Sequence, residues 1–151
     1  MSTAENGSGG AAPGHTAGPP ESPNAVDGQG RKVGDWTEPD PHGGVMVGEY
    51  VDGERHGAWR HLAADGRLRS EGGYAAGALD GPWVWYRASG ALMQRGGFSR
   101  GEKHGRWERW NPQGALIDSG EFDNGRKVGE WTVYNPDGSV RRTTNHRPSG
   151  G

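Results

Sequence analysis

A period of 24 residues constrains this chain more than any other feature of its sequence. A glycine opens successive units at Gly53, Gly77, Gly101 and Gly125. A tryptophan recurs at one position of every unit, as Trp36, Trp59, Trp83, Trp107 and Trp131. An aromatic residue closes the units at Tyr50, Tyr74, Phe98 and Phe122. This regularity predicts an array of one repeated structural unit, and it assigns these nine aromatic residues to packing between units.

The composition agrees with a thin array and excludes several functional classes. Hydrophobic residues make up 30% of the 151 residues, and 30 residues are glycine, which is too lean for a thick globular core. The net charge of -2 implies no bulk attraction to nucleic acid or to an anionic membrane. The chain has no cysteine, so disulfides and cysteine metal sites are excluded.

The composition also predicts the domain boundaries. Residues 1–29 contain six glycines and four prolines but no lysine, arginine or aromatic residue, which is typical of a disordered tail. The repeat domain is expected over 30–144, and 145–151 is expected to be a frayed tail. Five units divide the domain at 30–52, 53–76, 77–100, 101–124 and 125–144. The first unit places Pro39 and Pro41 where we expect strand residues in later units, so it is interpreted as a terminal cap.

Turn signals and strand periodicity predict the structure of a unit. Asn111-Pro112-Gln113-Gly114 has the residues of a tight turn with a glycine at positive φ. After each such turn, apolar residues and glycines alternate with a period of two, as in Leu92, Gln94, Gly96 and Phe98. Asn124-Gly125 is a second turn signal that joins one hairpin to the next. We therefore predict an all-β fold, a single-layer antiparallel meander of stacked β-hairpins, in which the glycine leaves room for a neighbouring ring.

The unit resembles a known repeat family. The segments that carry the resemblance are Tyr50-Val51-Asp52-Gly53-Glu54-Arg55-His56-Gly57-Ala58-Trp59 and Phe122-Asp123-Asn124-Gly125-Arg126-Lys127-Val128-Gly129-Glu130-Trp131. They resemble the bacterial variant of the MORN repeat, and the arrangement over residues 30–144 is similar to the YwqK family. That resemblance implies an antitoxin or immunity protein that neutralises a partner toxin by binding. MORN repeats more widely imply scaffolding and lipid association, although Ala78-Leu79-Asp80 departs from the lysine-rich spacers of the family.

Candidate chemistry is sparse along the chain. His56 and His104 occupy the same position two units apart, and a spacing of roughly 10 Å per unit places them too far apart to share a metal ion. No phosphate loop, nucleophile elbow or metal-binding motif is present in the sequence. We expect no enzyme activity, no cofactor and no metal site.

Aromatic residues outside the packing positions are the candidates for a binding surface. Trp85 occurs in one unit only, at a position that holds His61, Arg109 and Val133 in others, so we expect that position to be partly wet. Aromatic residues also recur three positions after the packing tryptophan, and strand alternation places them on the opposite face. The predicted partner-binding residues are Trp85, Tyr86, Arg109, Trp110 and Tyr134.

These observations predict a non-catalytic module that binds a protein partner and no nucleic acid. The sequence shows no signal peptide and no transmembrane run, so we expect a cytoplasmic protein. The first alternative is a structural scaffold or a peripheral membrane-associated protein of the MORN type. The second is a sugar- or choline-binding repeat protein, because wall-binding repeats also alternate Trp, Tyr and Gly at about 20 residues.

Overall fold

Twelve strands and no helix make up residues 23–147, the part of the chain that the computed structural model describes. The strands are β1 (Ala25–Val26), β2 (Lys32–Pro39), β3 (Val45–Val51), β4 (Glu54–Leu62), β5 (Leu68–Ala75), β6 (Ala78–Tyr86), β7 (Leu92–Ser99), β8 (Glu102–Lys103), β9 (Gly105–Trp110), β10 (Leu116–Asp123), β11 (Arg126–Tyr134) and β12 (Val140–His146).

The strands form one antiparallel sheet in which neighbours along the chain are neighbours in space. The order runs from β1 to β12 without a crossover, and the short β8 pairs with β7 beside the path. The sheet does not close on itself, so the predicted single-layer meander is confirmed. Over the described residues there is no helix of the length and apolarity needed to cross a membrane.

Two kinds of turn alternate along the meander. At one edge, the amide of Gly114 donates to the Asn111 carbonyl at 2.9 Å, and the glycine has a φ of 91°. At the other edge, Asn124 and Gly125 both have positive φ, 47° and 88°. Such two-residue turns match the right-handed twist of the strands they join. Both predicted turns are therefore present, and each unit is a hairpin followed by a tight return.

Four of the five packing tryptophans, all but Trp36, lie flat on a glycine of a neighbouring strand that precedes them in the chain. Trp83 faces Gly72 across the ladder, and a Cβ at Gly72 would collide with the indole ring. The indole Nε1 of Trp83 donates to the carbonyl oxygen of Gly73 at 2.9 Å. Gly48, Gly96 and Gly120 hold the next tryptophans in the same way, so the predicted role of this glycine is confirmed.

The nine packing aromatics form one continuous aromatic column on a single face. Adjacent rings meet edge to face with centroids between 5.2 and 6.3 Å apart. Trp59, Trp83, Trp107 and Trp131 are buried, whereas Trp36 at the start of the column is partly exposed. Because the described residues form no second layer over the sheet, the column is their core.

The ordered array begins earlier than the sequence predicts. Residues 1–22 of the expected disordered tail lie outside the described residues, but β1 falls within the remaining part, 23–29, and pairs with β2. The carbonyl oxygen of Ala25 accepts the Trp36 indole at 3.0 Å, as Glu49 does for Trp59. The Asn24 side chain then pairs with both the amide and the carbonyl of Thr37. β1 and the Asn24 side chain together therefore supply hydrogen-bond partners for β2 at the first edge of the sheet.

The first unit also differs from its predicted form. Pro41 is not in a strand position, because Asp40-Pro41-His42-Gly43 forms the same turn as Asn111-Pro112-Gln113-Gly114, with Gly43 N donating to Asp40 O at 2.9 Å. Later hairpins carry an extra residue after the turn, seen as a register shift between His61 and Leu62, and the first hairpin lacks it. The residue missing from this unit is thus the bulge residue.

The last strand continues past the expected boundary at residue 144. β12 extends to His146, which faces Gly129 in the register that Phe122 has with Gly105. Thr144 faces Trp131 where the other units have the column glycine. Its side chain occupies the place that a further tryptophan would need, so the array ends here. Of the expected C-terminal tail, residues 148–151 lie outside the described residues.

We predict that Trp107→Ala destabilises the protein more than Trp36→Ala. Trp107 is buried and meets Trp85, Phe98 and Phe122, whereas Trp36 meets one ring, that of Tyr50. Loss of a buried tryptophan costs about 3 to 5 kcal/mol, and a column end should cost clearly less. Denaturant titration of both variants measures the difference, and equal losses would contradict the column as the core.

Candidate functional site

A single-layer sheet offers two faces, and here they differ in chemistry. We call the face that carries the aromatic column the column face, and the opposite one the open face. Successive residues of a strand alternate between the two faces, and the strand registers place equivalent residues of all units in rows across each face.

A row of cations covers the aromatic column. Lys32, Arg55, Lys103 and Lys127 each lie over the tryptophan of their own unit, with the charged group 4.5 to 4.8 Å from the ring centroid. Such cation–π contacts are favourable and keep water from the rings. In the third unit this position holds Leu79, so the tryptophan there has no cation of its own unit over it.

A carboxylate network fixes the first two cations. Glu38 accepts hydrogen bonds from the Tyr50 hydroxyl at 2.6 Å, from Lys32 Nζ at 3.1 Å and from Arg55 Nη2 at 3.1 Å. Burial by itself would raise the pKa of Glu38, but these three hydrogen bonds outweigh it and lower the pKa. Burial likewise opposes the charge of Arg55, yet its bonds to Tyr50, Tyr74 and Glu38 raise the pKa of the guanidinium.

Trp85 contacts the aromatic column, which the sequence argument did not anticipate. Its ring stacks on that of Trp83 at 5.8 Å between centroids and lies tilted by 31° against that of Trp107 at 5.5 Å, and it also meets Phe98 edge on. The side chain remains partly exposed. Because both ring faces lie against tryptophans, Trp85 presents its edge and not a flat face to the solvent.

Arg109 lies on the same face, two residues after its packing tryptophan. It forms a two-pronged ion pair with Asp118, at 3.0 Å from Nε and 2.7 Å from Nη2. The hydrogen bonds to Asp118 raise the pKa of Arg109. The guanidinium is therefore held in one orientation at the surface.

The open face carries a wide trough across the second, third and fourth units. Its cavity volume is about 1210 Å³, and its residues include Ala58, Pro82, Val84 and Tyr86. Two of its glycines lie at close strand contacts, since a Cβ at Gly73 would lie 2.7 Å from the Asp80 carbonyl oxygen and one at Gly97 would lie 2.7 Å from the His104 carbonyl oxygen. The trough is therefore a preformed apolar depression on an otherwise polar surface.

Ion pairs and aromatic rings border the trough. Arg95 Nε donates to Glu108 at 2.8 Å, and the Arg95 guanidinium also lies 5.3 Å from the centroid of the Trp110 ring. Arg106 donates to the hydroxyl of the buried Ser119 at 3.1 Å. These contacts hold the charged side chains at the border in defined positions.

The structure divides the predicted binding residues between the two faces. Trp85 and Arg109 lie on the column face, Tyr86 lines the trough, and Trp110 stacks with Arg95 beside it. Strand alternation puts Tyr134 on the open face as well. The five residues thus do not form one continuous surface.

Sequence reasoning missed the centre of the trough. Val84 follows a packing tryptophan, a position that holds Thr37, Arg60, Glu108 and Thr132 in the other units. A single apolar residue in a polar row was a readable signal. The trough, however, depends on neighbouring strands, and one unit does not display it.

His56 lies on β4 and His104 directly before β9, with three strands of the sheet between β4 and β9. The described residues contain no group of three side chains able to hold a metal ion. His104 lies 3.6 Å from Asp123 and accepts the Asn124 amide at 3.3 Å, so it takes part in the contacts of a turn.

Comparison with known proteins adds little to this geometry. No protein-family model matches the chain, and no curated protein matches it in sequence. Among solved structures, the chain is similar to the GtfA/B complex bound to UDP and GlcNAc, with 14% identity and a TM-score of 0.34. The match covers 61% of this chain and 23% of that one.

We predict that Glu38→Gln makes stability less sensitive to acid. The folded pKa of Glu38 is lowered from an ordinary value of 4.5, so its stabilising effect is present above that value and is lost as the pH falls through the folded pKa. Chemical denaturation between about pH 5 and pH 3 should show a flatter decline for the variant. An unchanged decline would contradict the network, and Glu130→Gln on the open face is the control.

We also predict that Trp85→Ala costs less stability than Trp107→Ala. Trp85 is partly exposed and stacks on two rings, whereas Trp107 is buried and also donates its indole N–H to the Gly97 carbonyl. A loss of about 1 to 2 kcal/mol is expected, in the usual range for a partly buried residue. Equal unfolding midpoints for the two variants would place Trp85 in the core.

Proposed function

We propose that this chain is a non-catalytic protein-binding repeat module, an antitoxin or immunity protein that neutralises a partner toxin by binding. The proposal includes membership of the MORN-type, YwqK-like repeats that its sequence resembles. The observation that supports it best is the trough on the open face. It is an apolar depression on a rigid sheet, and no element of the described chain covers it.

The build of the sheet suits a macromolecular partner better than a small substrate. The trough is shallow and long, crosses several strands and is bordered by the fixed Arg95–Glu108 ion pair. Stable protein interfaces bury about 800 Å² per partner, with an apolar centre and a polar rim. Val84 and Tyr86 supply the centre, and the charged side chains supply the rim.

The column face supports the alternative of a peripheral membrane or scaffold role. Lys103 and Lys127 are exposed above the column, and their charges are accessible to an anionic surface. Leu79 interrupts the row, and Glu38 and Asp118 neutralise part of it. Sugar stacking is less favoured, because Trp85 offers only an edge.

We predict that Val84→Lys abolishes partner binding while leaving the fold intact. A lysine in the centre of an interface must be desolvated without a partner, which should weaken binding at least about 100-fold. Thr132→Lys is the matched control, because it occupies the same position of the fifth unit and does not line the trough. The assay is growth of cells that express this chain together with a toxic protein from a neighbouring gene, and the affinity of the purified pair.

The unfolding midpoint of each variant shows whether the fold is kept. Loss of protection in Val84→Lys, with full protection in Thr132→Lys, is the expected result. Full protection in both variants, or a loss in Thr132→Lys alone, would contradict a partner site in the trough.

A further inference from the structure

Charge is segregated between the two faces of the sheet. Among strand residues assigned by register, the column face carries six cations and two carboxylates, a net charge of +4. The open face carries ten carboxylates and four arginines, a net charge of -6. The open-face carboxylates are Asp35, Glu49, Glu54, Glu71, Asp80, Glu102, Glu108, Glu121, Asp123 and Glu130. The chain's net charge of -2 conceals this polarity.

The two faces also differ in how their charges are satisfied. Both carboxylates of the column face are paired, Glu38 with Lys32 and Arg55, and Asp118 with Arg109. Of the ten on the open face, only Glu108 and Asp123 have a basic group within 4.0 Å among the described residues. The column face therefore has no unpaired carboxylate and keeps an excess of cations, whereas the open face is left with unpaired negative charge.

Unpaired charge lies within the trough as well as around it. Glu71 and Asp80 line the depression, and no basic group of the described chain lies within 4.0 Å of either carboxylate, although Glu71 faces Arg60 in the strand register. Two arginines also line it, Arg95 and Arg106, of which Arg95 is paired with Glu108. An apolar floor beside unpaired carboxylates is complementary to a segment that alternates apolar and basic side chains. Tyr86 adds a ring on which a partner's lysine or arginine can lie.

We propose that the trough docks a basic, amphipathic segment of a protein partner. This inference rests on the proposed function and specifies the partner's chemistry. Apolar side chains of that segment pack on Val84 and Pro82, and its lysines or arginines pair with Glu71 and Asp80. The carboxylates outside the trough raise the association rate by attracting the basic surface. An anionic membrane or a nucleic acid is repelled by the same face.

A second copy of the chain is the main competing occupant, because its column face is positive. Five of the six cations of that face already lie on their own rings or bind their own carboxylates, so a copy would have to give up these contacts to dock. A free basic segment loses only the water bound to its charged groups when it docks. This difference favours the partner segment.

The test uses the full chain and two labelled peptides of about eight residues, one alternating Lys with Val and one alternating Glu with Val. Fluorescence anisotropy at low and at physiological salt measures binding. The double variant Glu71→Gln/Asp80→Asn removes the trough charges. Glu121→Gln/Glu130→Gln removes as much charge from the same face outside the trough.

We expect the Lys-Val peptide to bind the wild-type chain and the Glu-Val peptide not to bind. The trough double variant should weaken binding at least about tenfold, and the control double variant less than about threefold. Equal weakening in both variants would show diffuse attraction and overturn the docking site. Binding of the Glu-Val peptide, or no binding of either peptide, would overturn the predicted partner chemistry.

Sedimentation velocity at low salt separates the second copy from the partner segment. Self-association that the trough double variant abolishes would assign the trough to another copy and overturn the inference. A different experiment tests the proposed function: it is contradicted if the Val84→Lys variant still protects cells from the toxin, whatever the peptides do. Loss of protection together with failure of the Lys-Val peptide would keep the protein-binding role and reject only the basic partner.

Discussion

The rest of this structure depends on the contact of one tryptophan with one glycine, repeated along the sheet. After Trp36, each indole of the column lies on a glycine of the neighbouring earlier strand and donates its N–H to a carbonyl oxygen of that strand, as Trp107 does on Gly96 and to Gly97. The contact buries a large ring without a second layer and satisfies its polar atom at the same time. Glycine weakens a strand, but here the missing side chain is what makes room for the core.

Much of this architecture could be predicted from sequence, because the residues that form the strands and turns of a unit all lie within that unit. The period, the Asn-Pro-Gln-Gly turn at Asn111 and the alternation around Gly96 fix strands, turns and the ring contact without knowledge of neighbours. The two ends of the array are harder to predict from sequence, because an end unit has a neighbour on one side only and its residues need not follow the repeat. β1 holds only Ala25 and Val26, which is too short for a strand pattern in the sequence. Its role is visible only in the structure, where the Ala25 carbonyl oxygen accepts the Trp36 indole N–H.

The candidate site was less predictable, for a related reason. A binding surface on an array is made by equivalent positions of adjacent units, so it is visible in rows across the sheet and not along the chain. Trp85 drew attention as a residue without counterparts, yet it packs on the column. Val84 was overlooked beside it, although it is apolar in a row of polar residues and lies at the centre of the trough.

The same construction explains why the two faces can have opposite charge. The column must be shielded from water on its outer side, and cations do this at little cost because the ring faces attract them. Carboxylates in those positions would be repelled by the same rings, so acidic residues gather on the face that does not carry the column. The acidic open face is therefore partly a consequence of how the core is built. What the core does not require is the apolar strip of Ala58, Pro82 and Val84 within that face. Packing does not account for this apolar strip, and the carboxylates around it are mostly unpaired. It is therefore the part of the sheet best suited to bind a partner.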